Sequence, residues 1–380
     1  MDPHSPSTKL RDHQFCHNPD CLSRGQVGQG NIVIHSQKEQ RYLCKTCRKT
    51  FVATQGTPFY RLHKEQNIFL LVVTLLCHGC PLQAIVAAFG LDERTVSRWQ
   101  KCSGKHCQAV HEHLVQKGQV DLKHVQADEM WIKMVGEKVW MAMAMAVPSR
   151  LWLGGQISPK RDLGLITRLV QIVRSCALRL DILVCVDGLS SYVTAFLRVF
   201  RNPVHTGRPG RPRLVLQKGL LLGQVVKKYA QKHVTGITRR VVQGTAKAIA
   251  AVLRATKAGL DINTAYIERL NATFRAALAF LVRRGRALAH QEQTLIAGMY
   301  LVGCAYNFCW VHKSLRLLAP PESDHKWLQK TPAMAAGLTD HCWTMLELLS
   351  YQVPLPAWVA PKRRGRPPKN VHQPITTAAA

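Results

Sequence analysis

The chain has 380 residues, with 52 Lys and Arg against 22 Asp and Glu, a net charge of +30 at pH 7. That length exceeds one small module and predicts two or three domains, and the charge predicts a polyanionic partner, nucleic acid first, although a ribosomal or membrane-surface protein would carry similar charge. The longest apolar run, Ile68 to Cys77, is about half of what spans a bilayer and predicts a core helix, while 13 cysteines behind no export segment predict reduced thiols and exclude a disulfide framework.

Cys16 and Cys21 are followed by Cys44 and Cys47, with Arg41, Tyr42, Arg48, Lys49 and Phe51 close by. Two cysteine pairs on two turns can supply four thiolates to tetrahedral Zn²⁺, and a segment this small needs such a staple. The spacing predicts a zinc ribbon over residues 12–53. Cys44 and Cys47 have knuckle spacing; the first pair is wider by two residues, so His17 or His35 could replace one ligand, and four unligated cysteines are the plain alternative. Cys77-His78-Gly79-Cys80 repeats the spacing without a second pair and reads as a helix terminus.

A helix-turn-helix is expected within residues 64–115. Gln83 to Phe89 forms one helix, Gly90-Leu91 the turn, and Asp92 caps a second helix through Trp99. Ile85, Phe89, Val96 and Trp99 would join the helices and leave Glu93, Arg94, Ser97, Arg98 and Lys101 to reach a major groove; an ordinary helical hairpin has the same pattern.

From Asp121 the periodicity changes to that of strands. Val125–Ile132, Lys138–Val147 and Leu151–Ile157, separated by Gly136 and by Pro148-Ser149-Arg150, predict an antiparallel meander. Met141, Met143 and Met145 alternate with alanines as a packed strand face, not as ligands. Asp162 to Ser175 has helical periodicity, Ile182 to Val186 is a buried strand ending at Asp187-Gly188, and a helix follows through Tyr192, Phe196 and Val199. The order β-β-β-α-β-α is that of an RNase H-like core, in which the first and fourth strands lie side by side.

That arrangement would join Asp128 and Asp187. Ile267, Leu270, Phe274, Leu278 and Leu281 form an apolar helical stripe with Glu268, Asn271 and Arg275 on its flank. Two strand carboxylates and one helix carboxylate can hold two Mg²⁺ (or Mn²⁺) ions about 4 Å apart, one activating the attacking oxygen and one stabilising the leaving oxygen, with Asp128 between them. Glu129, Asp181 and Asp261 are the competing acids. Glu129 should face the other side of the sheet, and the other two begin their elements.

Asp128-Glu129-Met130-Trp131, Val186-Asp187-Gly188-Leu189-Ser190-Ser191-Tyr192, Asn263 to Asn271 around Glu268, and Tyr306-Asn307 to His312-Lys313-Ser314-Leu315 resemble the DDE transposases of bacterial insertion sequences, of the IS-one type. The resemblance covers most of the chain and implies an α/β fold with an RNase H-like catalytic core at 120–320 behind the zinc ribbon and helix-turn-helix. It also implies a catalytic, Mg²⁺-binding triad of Asp128, Asp187 and Glu268. The expected activity is cleavage and joining of double-stranded DNA at terminal inverted repeats and target, by a homodimer or higher oligomer in the bacterial cytoplasm, at the nucleoid. One departure is the separation of Asp187 from Glu268, which implies a looped-out basic insertion near 203–245.

The basic runs Thr206 to Arg213 and Lys362 to Lys369 supply Arg208, Arg211, Arg364 and Arg366 as DNA contacts, alongside Arg275. Arg364-Gly365-Arg366-Pro367 resembles an AT-hook, with a solvated basic tail as the alternative over 321–380. Two rival functions remain at this stage. One is a non-enzymatic zinc-ribbon and helix-turn-helix DNA-binding regulator derived from a transposase, and the other is a nuclease without strand transfer.

Overall fold

The computed structural model describes residues 14–360 except 206, 208, 209, 232, 283, 284 and 286. The chain divides into two compact units, residues 56–353 and residues 1–55 with 354–380.

The smaller unit is a three-stranded antiparallel sheet, β1 (Ile32–Ser36), β2 (Arg41–Cys44) and β3 (Thr50–Val52). Among the described residues its apolar interior is little more than Phe15 and the cluster of Ile32, Tyr42 and Phe51 packed on buried cysteines. So small a core cannot offset the entropy of ordering the chain without a further cross-link.

In the larger unit, α1 (Gln66–Cys77) is the apolar run foreseen as a core helix, with Phe69, Val72, Val73, Leu76 and Cys77 buried. Next come α2 (Leu82–Phe89) and α3 (Glu93–Leu114), joined at Gly90, whose left-handed conformation ends α2. Asp92 caps α3 by accepting from the backbone N–H groups of Arg94 at 2.8 Å and Thr95 at 3.3 Å. Ile85, Val96 and Trp99 are buried between the helices and Phe89 is half-buried. α3 continues far beyond the expected short second helix. Its later turns pack on α8 (Glu292–Cys304), where a Cβ at Gly104 would lie 2.3 Å from the Ala297 carbonyl oxygen. Only glycine permits that approach, and it ties the helical segment into the core of residues 56–353 instead of leaving it a separate module.

The sheet contains β4 (His124–Lys133), β5 (Lys138–Ala146), β6 (Leu151–Ser158), β7 (Leu183–Asp187), then, beyond the edge hairpin of β8 (Arg201–Val204) and β9 (Arg213–Leu216), β10 (Leu221–Ala230) and β11 (His233–Gln243). Six strands run in the order β11-β10-β7-β4-β5-β6. The meander β4-β5-β6 is antiparallel as the alternation predicts, and β7 lies parallel to β4 with Ala127 opposite Val186. Met141, Met143 and Met145 and their intervening alanines are buried on both faces. The expected loop-out after Asp187 is corrected here: β10 pairs parallel with β7 and β11 pairs with β10, so residues 221–243 extend the sheet. The polar and basic content of Gln224, Lys227, Lys228, Arg239 and Arg240 hides strand character, because β11 is an exposed edge whose charges discourage further pairing.

The other edge, β6, is blunted by side chains. Asn307 accepts from the Trp152 N–H at 2.9 Å and donates to the Trp152 carbonyl at 2.8 Å, as a neighbouring strand would. His111 Nε2 meets the Leu153 carbonyl at 3.0 Å, where the strand bulges before Gly154 (φ 136°). Asn307 lies in a π-helical turn that prolongs α8; the stretch Glu292–Leu315 is long and apolar enough to cross a membrane, and 78% of its most apolar window is buried inside the fold. On the sheet faces pack α4 (Leu163–Cys176), α5 (Ser190–Val199), α6 (Ala246–Ala255) and α7 (Ala265–Ala277). The stripe Ile267, Leu270 and Phe274 buries α7, which ends at Ala277; Leu278 and Leu281 continue the burial from a 3₁₀ turn.

Candidate metal centres

Cys16, Cys21, Cys44 and Cys47 have sulfurs within 4.8 Å of one another, with Cys16 Sγ 3.6 Å from Cys47 Sγ and Cys21 Sγ 3.8 Å from Cys44 Sγ. Sulfurs about 2.3 Å from a tetrahedral ion are separated by about 3.7 Å, so the group could hold a metal without rearrangement. The knuckle at Cys44 closes by the Arg48 N–H donating to the Cys44 carbonyl at 2.8 Å, with Arg48 at φ 58°. Asn31 Nδ2 lies 3.6 Å from Cys44 Sγ, a contact that favours thiolate. His17 instead stacks on Phe15 and packs at a tilt against Phe51, and burial, with the Arg24 charge, lowers it to about pKa 4. No histidine is needed as a ligand.

The second centre lies where β4 and β7 end beside α7, lining a cavity of about 880 Å³. Asp128 and Asp187 sit on the paired parallel strands, and Glu268 and Arg275 line the same cavity from α7. Asp128 Oδ2 accepts from Asn271 Nδ2 at 2.8 Å, and Asn271 Oδ1 beside it is buried with no hydrogen-bond partner among the described residues. Asp187 Oδ1 accepts from the Leu189 N–H at 3.0 Å. Gln224 on β10 donates to the Asp187 carbonyl at 3.1 Å. The strand that sequence reading left in a loop therefore braces one of the acids.

Glu129 departs from expectation. Neighbours on a strand begin on opposite faces, yet the carboxylates of Asp128, Glu129 and Asp187 converge within 4.8 Å and could together hold a cation. Arg161 bridges two of them, donating to Glu129 Oε1 through Nε at 2.6 Å and to Asp187 Oδ2 at 3.3 Å. Tyr192 O–H donates to Glu129 Oε2 at 2.9 Å. Glu268 lies outside that tight group: Lys227 Nζ holds its Oε1 at 2.7 Å and Thr264 Oγ1 donates to it at 2.9 Å, with the side chain 46% exposed.

Burial pushes Asp128 up to about pKa 7, helped by the charges of Glu129 and Asp187, and burial also raises Glu129. Between pH 4 and 7 folded Asp128 therefore keeps a proton that the unfolded chain releases. Its contribution to stability is present at low pH and is lost as pH rises to about 7. With zinc present and no magnesium, denaturation across this range should show wild-type losing stability relative to Asp128→Asn, then a constant difference above pH 7. A difference that moved the other way would contradict the burial of this carboxylate.

Gln126, fully buried on β4, couples strand to helix. Its Oε1 accepts from the Tyr266 N–H at 3.0 Å and the Ile267 N–H at 3.1 Å, and its Nε2 donates to the Asn263 carbonyl at 2.8 Å. It caps the first turn of α7 in place of Thr264, whose hydroxyl goes to Glu268. Gln126→Ala should cost about 3 kcal/mol, since it leaves buried N–H groups unpaired, and a denaturant midpoint unchanged from wild type would show that the cap is dispensable. No periodicity marks this role, because the partner is about 140 positions away in the chain.

Of the remaining residues singled out by sequence, Arg94, Ser97, Arg98 and Lys101 line one shallow groove on α3 with Lys105. Lys101 Nζ donates to Gln291 Oε1 at 2.8 Å and is partly engaged. Arg211 is exposed ahead of β9. Arg208, Arg364 and Arg366 lie outside the described residues, so the proposed AT-hook does as well. No protein-family model matches the chain, and no curated protein matches it significantly.

Proposed function

We propose that the chain is a DNA transposase with an RNase H-like core, binding terminal inverted repeats and carrying out metal-dependent strand cleavage and strand transfer. One observation carries the reading: acids from two paired parallel strands and from a helix far along the chain, Asp128, Asp187 and Glu268, line a single cavity. The strand order β6-β5-β4-β7-β10, antiparallel then parallel, agrees with that class of core. The carboxylates of Asp128 and Asp187, with Asn271 Oδ1 beside them, suit Mg²⁺ or Mn²⁺, hard cations that prefer oxygen. Bound there, such a pair supplies an activated attacking oxygen and a stabilised leaving oxygen.

The chain's own groups have distinct parts. Arg161 and Tyr192 donate to the two oxygens of Glu129, so that Glu129 positions Arg161 beside Asp187. Lys227 neutralises Glu268 at the edge of the cavity. Zn²⁺ in the four-cysteine group fixes the small unit. Arg94, Ser97, Arg98 and Lys101 read the repeat from a helix-turn-helix, Arg211, Arg275 and the basic tail meet phosphates, and two or more copies act on one DNA. The rival regulator keeps these binding parts on an inactive core; the ion pair between Lys227 and Glu268 is the observation in its favour.

DNA carrying both flanks of the coding sequence, incubated with the protein and Mg²⁺, should be nicked to leave 3′-OH ends that then join other duplexes. Binding without any cleavage would favour the regulator. On the same DNA, Arg94→Ala and Arg98→Ala should each cost about 1–3 kcal/mol of binding to the flanking repeat and far less to random duplex, because base contacts specify while phosphate contacts position. Equal loss on both DNAs, measured by gel shift, would reduce these arginines to phosphate contacts.

A further inference from the structure

We propose that a second cavity, across the buried stripe of α7 from the carboxylates, seats one nucleotide of a nucleic-acid strand, with its base on an aromatic wall and its phosphate on two arginines. That the occupant belongs to a strand rests on the reading above; the chemistry of the pocket does not.

The cavity has a volume of about 590 Å³. Its functional lining is Arg150, Tyr266, Arg269, Tyr306, Trp310 and His312, and no carboxylate lines it among the described residues. Arg150 holds its guanidinium 3.9 Å above the Tyr266 ring and spends one N–H on the Val147 carbonyl. Among the described residues no ion pair engages Arg150, and neither a hydrogen bond nor an ion pair engages the Arg269 guanidinium. In a fold that pairs Arg161 and Lys227 with acids in the neighbouring site, two unneutralised cations at one cavity are positioned for an anion.

His312 supports the same assignment. Its Nδ1 accepts from the Ser314 N–H at 3.3 Å, so in the neutral ring Nε2 carries the proton and can donate. Burial, with the charges of Arg150 and Arg269, lowers its pKa. Tyr306 stands edge-on to both Trp310 (6.4 Å, 82°) and His312 (6.3 Å, 87°), which holds these rings as a fixed wall. Aromatic faces beside guanidinium groups bind bases without regard to sequence, and the phosphate supplies the anion. Because α7 carries Glu268 on one flank and Tyr266, Arg269 and Thr273 on the other, a strand held here would be anchored by the helix that bears the third acid.

The test uses the full-length protein without divalent metal other than zinc, and a single-stranded oligonucleotide of about a dozen residues carrying 2-aminopurine. Wild-type protein should bind it, followed by anisotropy, and quench the 2-aminopurine by stacking. Arg269→Ala, at an exposed helix position, and Arg150→Gln should each weaken binding about tenfold, and Trp310→Ala should relieve the quenching. Mn²⁺ binding should be unchanged in all three. Undiminished binding by Arg269→Ala and Arg150→Gln would overturn the pocket while leaving the metal reading intact. If wild-type binds no Mn²⁺ but loses the oligonucleotide on Arg269→Ala, the metal reading falls and the pocket stands. A deoxynucleoside monophosphate bound as tightly as the oligonucleotide would overturn the assignment to a strand.

Discussion

Asp128→Asn and Asp187→Asn are each expected to lower both cleavage and strand transfer by roughly 10⁴-fold or more, because the proposed site performs both steps with one set of ligands. Binding to the repeat should persist and could tighten. Asp128, Glu129 and Asp187 crowd three carboxylates within 4.8 Å, and removing one relieves repulsion against its neighbours and against phosphate. The double variant should be no worse than either single one, since residues acting as a unit are not additive. Circular dichroism should be unaltered in the presence of zinc. Residual cleavage within about tenfold of wild type, measured on end-labelled DNA, would mean that these acids do not carry the chemistry.

The second large effect is expected at the other centre. Purified protein should contain about one equivalent of zinc, and Cys44→Ser should release it and unfold residues 14–53. Structural zinc contributes about 10 kcal/mol or more to small domains of this kind. Here Phe15, Ile32, Tyr42 and Phe51 are most of the apolar interior among the described residues apart from the cysteines, too little to hold the sheet without the metal. The larger unit has its own core, from Phe59 and Phe69 to Leu349, and should keep its melting transition. Metal content by elemental analysis, with proteolysis of the N-terminal segment, decides the matter. An unchanged zinc content in Cys44→Ser would remove the site.

Much of this was legible in the sequence wherever the pattern is local. Strand alternation marks β4 to β6, the caps and Gly90 mark α2 and α3, and the cysteine spacing marks a group that the fold brings together. Long-range features were not legible. β10 and β11 carry too many basic residues to read as sheet, because one is braced by β7 while the other is an edge. Gln126 has no signature, because its partners are backbone groups of a helix much further along the chain. Alternation assigns Glu129 to the wrong side of the problem, since it describes where a Cβ starts and not where a long side chain ends once Arg161 and Tyr192 hold it. The later turns of α3 were missed because the stripe they bury has helical spacing but is built from Gln100, Ser103, Gly104, Cys107 and His111 and not from large apolar residues.

The measurement that bears most directly on the account compares Glu268→Gln with Glu129→Gln on labelled DNA carrying the repeats, in Mg²⁺. Both retain the size of the side chain and remove its charge. If Glu268 completes the metal pair, Glu268→Gln binds the DNA yet neither cuts nor joins it, while Glu129→Gln, which loosens Arg161 but leaves the ligands, retains measurable cleavage. Cleavage by Glu268→Gln at the wild-type rate, together with its loss in Glu129→Gln, would contradict the triad and move the third ligand to the acid beside Asp128.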